Sequence, residues 1–315
     1  MESETRRTTY ERGYLSLQVR DFLMMPVLVS GFCLYLGLLI NKQVGGQRVQ
    51  LGMYENSLDD QYVGCLEKME SLAPGLLKAE RQVNVDLDSA WLHANETWLT
   101  RKSSIKVLPA GFTDEHGIAL LVYTNMNISI YKQLNNAVRE YGTDPKAFAL
   151  HSLHFYLTRA LTLLQTRCDG KPWHTYRGSS RIVFEPPPNP GDLIRLSQFA
   201  SSSTDVKQAE LFGTVSFFNI TTCFGADIHN FSYFPSQKEV LIPVDEVFHI
   251  DKYVKEGNRF VLQSTNKRCS FYNCAYLGGS KRQNCTYNSA PGGLQIINAV
   301  TAPLLVGLSI VFLTR

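Results

Sequence analysis

The sequence predicts a segregated α+β domain, with helices first and strands after them, and three observations carry that expectation. Apolar residues recur at three- and four-residue spacings through residues 146–165, as in Leu150, Leu153, Leu157, Leu161 and Leu164. Beyond about residue 180 the apolar runs shorten to strand length and are separated by turn formers such as Pro186-Pro187-Pro188-Asn189-Pro190-Gly191. Strands and helices do not alternate, which argues against a parallel βαβ sheet.

From the N-terminus, residues 22–40 form an apolar run without a charge, long enough for either a signal peptide or an uncleaved signal anchor. Its flanks do not choose, because Arg6, Arg7, Arg12 and Arg20 are balanced by Glu2, Glu4, Glu11 and Asp21. Residues 1–46 are therefore read as this leader and 47–56 as a linker. Residues 57–285 hold enough chain for one full core, with no repeat or low-complexity stretch inside. Within them, residues 181–184, 193–199, 211–220, 239–242 and 259–263 read as strands. Residues 286–315 place Asn288-Ser289-Ala290 before a spacer and a terminal apolar tail. That is the order of a glycolipid-anchor signal, and a short membrane-spanning tail is the competing reading.

Either reading puts the domain in an exoplasmic space, and the cysteines agree. Setting aside Cys33 in the leader, Cys65, Cys168, Cys223, Cys269, Cys274 and Cys285 make an even set suited to disulfides. Asn95, Asn127, Asn219, Asn230 and Asn284 each begin an Asn-x-Ser/Thr sequon. No Cys-x-x-Cys pair exists, and His151 and His154 have no further ligands nearby, so no metal site is expected. A net charge of +3, without an arginine-rich or aromatic-interleaved patch, gives no support to nucleic-acid binding.

Three polar sites punctuate the strand half: Tyr176-Arg177-Gly178, Ser201-Ser202-Ser203 and Gln237-Lys238-Glu239. Read as a strand entrance, Gln237 and Glu239 share a face about 7 Å apart. An arginine offers a permanent forked cation to phosphate oxygens. A fixed carboxylate steadies positive charge that develops at an anomeric carbon. No Gly-x-Gly-x-x-Gly joins a strand to a helix, so a Rossmann mode of dinucleotide binding is not supported.

Arginine, then Ser-x-Ser, then glutamate is an order that resembles the R-S-E signature of the vertebrate ecto-mono-ADP-ribosyltransferases. Asp59-Asp60-Gln61-Tyr62 with Cys65, and residues 119–124, 153–158, 194–199 and 239–243, also resemble that family. The resemblance implies an ADP-ribosyltransferase fold and NAD as the substrate, with no permanently bound cofactor. It implies ADP-ribose transfer to a cell-surface or secreted protein acceptor, from a chain held to the membrane by a lipid anchor. By the same resemblance Arg177, Ser201 and Glu239 are the catalytic set. Tyr176 and Gly178 then join them around NAD, with the Gly178 main chain holding the nicotinamide amide. It also pairs Cys65 with Cys274 and Cys168 with Cys223, which leaves Cys269 and Cys285 for a third bridge.

The chain departs from the family pattern at Gln237, where arginine-specific members carry a first glutamate. A neutral amide orients and deprotonates a guanidinium less well than a carboxylate, so arginine transfer is expected to be weak. Hydrolysis of NAD by water, or a catalytically silent surface antigen that kept the fold, are the alternatives. Ser197 stands where the family often has glycine, and only a local strand-packing effect is expected from it.

Overall fold

A computed structural model describes residues 47–165 and 171–289. The helical half runs α1 (Leu66–Val83), α2 (Val85–Arg101), α3 (Asp114–Thr124), α4 (Ile130–Glu140) and α5 (His151–Leu164). The leucine stripe falls on α5 as its spacing predicts: Leu153, Leu157 and Leu161 are buried, packed with Leu121 of α3 and Trp98 of α2 in one core. Cutting one of these leucines to alanine costs about 2–5 kcal/mol. The N-terminus of α5 is held by a buried carboxylate, since Glu80 of α1 accepts from the amides of His151 and Ser152 at 2.7 and 3.0 Å. His154 is a core residue bonded to the Tyr62 hydroxyl at 2.7 Å. Among the described residues no group of His, Cys, Asp or Glu could hold a metal ion, and no helix is long and apolar enough to cross a membrane.

The strand half begins earlier than the sequence predicts. β1 (Gln47–Gln50) pairs in parallel with β3 (Ile182–Glu185), and Leu51 is buried against Ile194 and Phe248, so residues 47–56 belong to the fold and are not a linker. The larger sheet contains β2 (Trp173–Ser179), β4 (Ala200–Ser203), β5 (Ser216–Thr222), β6 (Ala226–Asp227), β7 (Glu239–Ile242), β8 (Glu246–Val254), β9 (Arg259–Ser270) and β10 (Thr286–Ser289). Its order is β10-β9-β5-β2-β4-β7-β6, with β8 also paired to β9. β10 extends the domain into the segment read as the start of the anchor signal. The leader, the C-terminal tail from residue 290 and Cys168 lie outside the described residues.

Two of the expected strands change character. Residues 193–199 make isolated bridges only, Ile194 to Phe248 and Arg195 to Gly52. Ser197 sits at φ 60°, a left-handed kink that swings the chain into β4. The strand expected over 211–220 starts at Ser216, because a turn through Gly213 at φ 122°, which follows α6 (Val206–Glu210), occupies its first part.

Two disulfides and a buried ion pair close the domain. Cys65 joins Cys274 and Cys269 joins Cys285, and Cys223 is also disulfide-bonded. Beside the first bridge, Arg195 meets Asp59 with both side chains fully buried. Asp59 also accepts from the amides of Phe271 and Tyr272 at 2.9 and 2.8 Å, and Asp60 accepts from those of Tyr62, Cys274 and Ala275. The start and the end of the domain are thus tied across more than two hundred residues of chain.

Candidate active site

The three polar motifs converge because β2, β4 and β7 are neighbours in the sheet. Tyr176 pairs with Ser203, and Ser203 pairs with Glu239, which sets the motifs side by side at one end of the strands. Two of the motifs lie inside their strands, and of the third only Glu239 does, as the first residue of β7. Tyr176-Arg177-Gly178 belongs to β2 and does not precede the strands, and Ser201-Ser202-Ser203 is the body of β4 and not the turn after a strand. The serines are divided in their work. Ser202 donates to Val240 O at 2.7 Å and Ser203 to Gln237 O at 2.6 Å, so both fasten β4 to β7 and its approach. Ser201 keeps its hydroxyl toward Glu239.

Gln237 reaches the site by a different backbone route from the one its spacing suggests. It closes a 3-10 turn, Pro235–Gln237, and Lys238 follows at φ 48° before β7 starts at Glu239. The period-two argument therefore fails for this pair, although both side chains line the same cleft.

That cleft has a volume of about 320 Å³ and is lined by Arg177, Gly178, Ser201, Gln237 and Glu239 together with Tyr123, Tyr131, Asn135, Phe199, Phe212 and Phe234. Its walls are aromatic and its floor is charged, as in sites that take a ligand with a flat ring and polar groups. Glu239 is almost completely buried. Burial pushes its carboxyl above the ordinary value, while the Ser201 hydroxyl, the Arg177 guanidinium and the Ser232 hydroxyl pull it back. Burial also draws Arg177 down, opposed by Tyr123 and Glu239, and its Nη1 donates to Ser201 O at 2.6 Å. A guanidinium remains a cation through such a shift.

Gly178 has a structural reason to be glycine that the motif does not reveal. A Cβ there would run into the carbonyl oxygens of Ala209 and Gly213, so the missing side chain lets the segment after α6 lie against β2.

Three residues of the site lie outside the three polar motifs. Tyr123 at the end of α3 donates to Phe199 O at 3.0 Å, and burial pushes its hydroxyl up to about 12. Asn135 on α4 donates to the Tyr123 hydroxyl at 3.1 Å and to Phe199 O at 3.3 Å, which leaves its Oδ1 buried on the cleft without a partner. Ser232, fully buried, reaches Glu239 from the loop before β7. Only the tertiary fold brings Tyr123 and Ser232 to the carboxylate and Asn135 to the cleft.

A buried, arginine-attended carboxylate in a cleft of this shape suits glycosyl transfer, in which charge grows at an anomeric carbon. That is the class of protein the fold and cleft define. Residues 51–270 match the family described as NAD:arginine ADP-ribosyltransferase, and the chain belongs to that family. It is a mono-ADP-ribosyltransferase with NAD as the donor substrate. Over 253 residues it is 45% identical to ecto-ADP-ribosyltransferase 5 of Homo sapiens, covering 78% of this chain and 86% of the relative. Over 264 residues it is 39% identical to GPI-linked NAD(P)(+)--arginine ADP-ribosyltransferase 1 of Mus musculus, covering 79% and 80%. The crystal structure of the eucaryotic mono-ADP-ribosyltransferase ART2.2 superposes with a TM-score of 0.65 at 38% identity, covering 72% of this chain and 99% of that one. A mutant of the same enzyme has been solved in complex with NADH, and another with NAD.

Proposed function

We propose that Glu239, Arg177 and Ser201 cleave NAD at the bond between nicotinamide and ribose. The electron pair of that bond leaves with nicotinamide, and the anomeric carbon becomes cationic as it departs. Glu239 faces that charge and steadies it, in a buried setting where a fixed carboxylate acts most strongly. Arg177 counters the pyrophosphate, Ser201 holds the nicotinamide ribose, and Tyr176 and the Gly178 main chain border the nicotinamide. The unpartnered Asn135 Oδ1 accepts from a hydroxyl or amide of the bound dinucleotide.

The acceptor's lone pair then closes on the anomeric carbon and the acceptor loses a proton. Gln237 stands where a second carboxylate would orient and deprotonate a guanidinium, and its neutral amide disfavours arginine. A protein side chain other than arginine is the acceptor this favours, with water in competition. The burial of Glu239 beside Arg177 and Ser201 on an open cleft is the observation that supports turnover over a silent surface antigen.

We place the enzyme on the outer cell surface, reached by the secretory route and held by a lipid anchor. The names of its relatives and the exposure of all five sequon asparagines support this. The deciding experiment is nicotinamide release from NAD. Wild-type protein releases it and Glu239→Gln loses at least a hundredfold, a loss typical of removing one electrostatic stabiliser. Equal rates would refute the assignment.

A further inference from the structure

The segment between β6 and β7 carries Gln237 and delivers Glu239, yet it has little structure of its own. Two 3-10 turns, His229–Phe231 and Pro235–Gln237, are its only regular elements. Such a segment keeps its position through contacts made from outside. Here they come mainly from one helix, α2, whose residues 93, 97 and 101 recur every four positions along one face.

His93 lies flat on the Tyr233 ring, with centroids 5.5 Å apart and planes 5° from parallel. Thr97 Oγ1 is 3.3 Å from the Tyr233 hydroxyl. Arg101 Nη1 donates to Ser232 O. Trp98, one residue along from Thr97, stacks on Phe231 at 6.0 Å and 19°. α3 adds one tie, the Tyr233 amide donating to Thr124 Oγ1 at 3.3 Å. The held segment is thus residues 231–233, and at its centre the buried Ser232 hydroxyl meets the Glu239 carboxylate. His93, Thr97 and Arg101 are absent from the cleft wall, so their influence on NAD runs through the loop.

We infer that α2 is a strut that sets the Glu239 carboxylate through Ser232, which makes Ser232, Tyr233, His93, Thr97 and Arg101 positioning residues for NAD cleavage. The inference rests on the reading of Glu239 given above. A helix fixed in the core holds its side chains more rigidly than a loop can, and a displacement of about 1 Å at a catalytic group costs up to about a hundredfold in rate. The other groups facing Glu239 are Arg177 from β2, Ser201 from β4 and Tyr123 from α3. Of these three and Ser232, only Ser232 is bonded directly by α2 among the described residues.

The test uses the full-length chain and follows kcat and KM for NAD in nicotinamide release across pH. Ser232→Ala lowers kcat about tenfold with KM for NAD within about twofold, because the residue positions a group that acts at the bond being broken. The same variant moves the acid limb of the profile to higher pH, since the lost hydroxyl donated to the ionised carboxylate. Ser232→Thr restores both. Ser232 also completes the sequon that begins at Asn230, so Asn230→Gln serves as the control for a lost glycan and keeps wild-type kinetics. On the exposed side of the strut, His93→Ala lowers kcat about threefold and His93→Phe, which keeps the stacking, recovers it. The His93 pair decides the matter if Ser232→Ala does not fold.

An acid limb that stays in place in folded Ser232→Ala overturns the strut, as does wild-type kcat in His93→Ala. Either result together with an inactive Glu239→Gln leaves the catalytic reading standing. An active Glu239→Gln instead removes the reading on which the strut depends.

Discussion

Arg195 with Asp59 and Arg177 with Glu239 are both arginine–carboxylate associations within one domain, the first fully buried and the second with Arg177 only half-buried, and they serve opposite ends. Arg195 spends its donors on Asp59 and on the carbonyls of Met53, Tyr54 and Cys269, while Asp59 takes two backbone amides as well. Every strong group there is satisfied by the chain itself, so the cluster fastens and cannot bind. Arg177 donates from Nη1 to Ser201 O at 2.6 Å, and Glu239 is met by serine hydroxyls, at the edge of an open cleft. Similar residues become a fastening or a site according to how much of their bonding capacity the fold consumes.

The largest expected effect is at the fastening. Asp59→Asn leaves Arg195 buried without its counter-charge and lowers stability by about 3–5 kcal/mol in chemical denaturation. If unfolding is unaffected, the pair does not hold the domain. At the cleft, the Glu239→Gln variant keeps a single cooperative melt while nicotinamide release falls by about 3–4 kcal/mol in barrier terms. A collapse of the fold in that variant would erase the contrast between the two pairs.

Gln237→Glu sharpens the comparison by adding a second carboxylate to the cleft. Transfer to agmatine, a small guanidinium acceptor, rises about tenfold, or about 1.4 kcal/mol. No gain would place the acceptor barrier elsewhere.

Glu246 is another buried carboxylate, bonded to Thr222, Cys223 and Phe224 with no ion-pair partner among the described residues. Burial pushes it up from 4.5 to about 7. A carboxyl that holds its proton more tightly when folded stabilises the fold at low pH, and that contribution fades as pH rises from 4.5 through about 7. Glu246→Gln should flatten this part of the stability profile. An unchanged slope would mean that Glu246 is ionised throughout the range.

The smallest effect is at Ser197. Its left-handed backbone costs an L-residue about 1–2 kcal/mol, so Ser197→Gly should gain a few tenths to about 1 kcal/mol once the added freedom of the unfolded chain, about 0.4–1 kcal/mol, is subtracted. A loss in thermal stability would show that the Ser197 side chain is worth more than the strain.

The leucine period of α5 and the site motifs were legible because both are local. A 3.6-residue stripe needs only neighbours in sequence, and Arg177, Ser201 and Glu239 are marked by type and order. α1 reads less well. Pro74 and Gly75 lie inside it, where local rules would end a helix, and it continues because Met69, Ala73 and Leu77 are buried on the face that meets the core. β8 was missed outright, although its Val247, Phe248 and Ile250 are strand formers. Residues 193–199 were read as a strand because they are apolar, but Arg195 must turn inward to reach Asp59, and that contact lies 136 residues away.

By itself the sequence determined the two halves of the fold and the family resemblance, and it marked the three residues proposed for the chemistry, since each is written in side-chain type and short spacing. The tertiary structure decided the rest. It set Arg177, Ser201 and Glu239 on adjacent strands and brought Tyr123, Asn135 and Ser232 to them from distant elements. It also turned Gln237 into the cleft through a left-handed residue. These outcomes depend on strand order and long-range hydrogen bonds, and no local window of sequence contains both partners of such a contact.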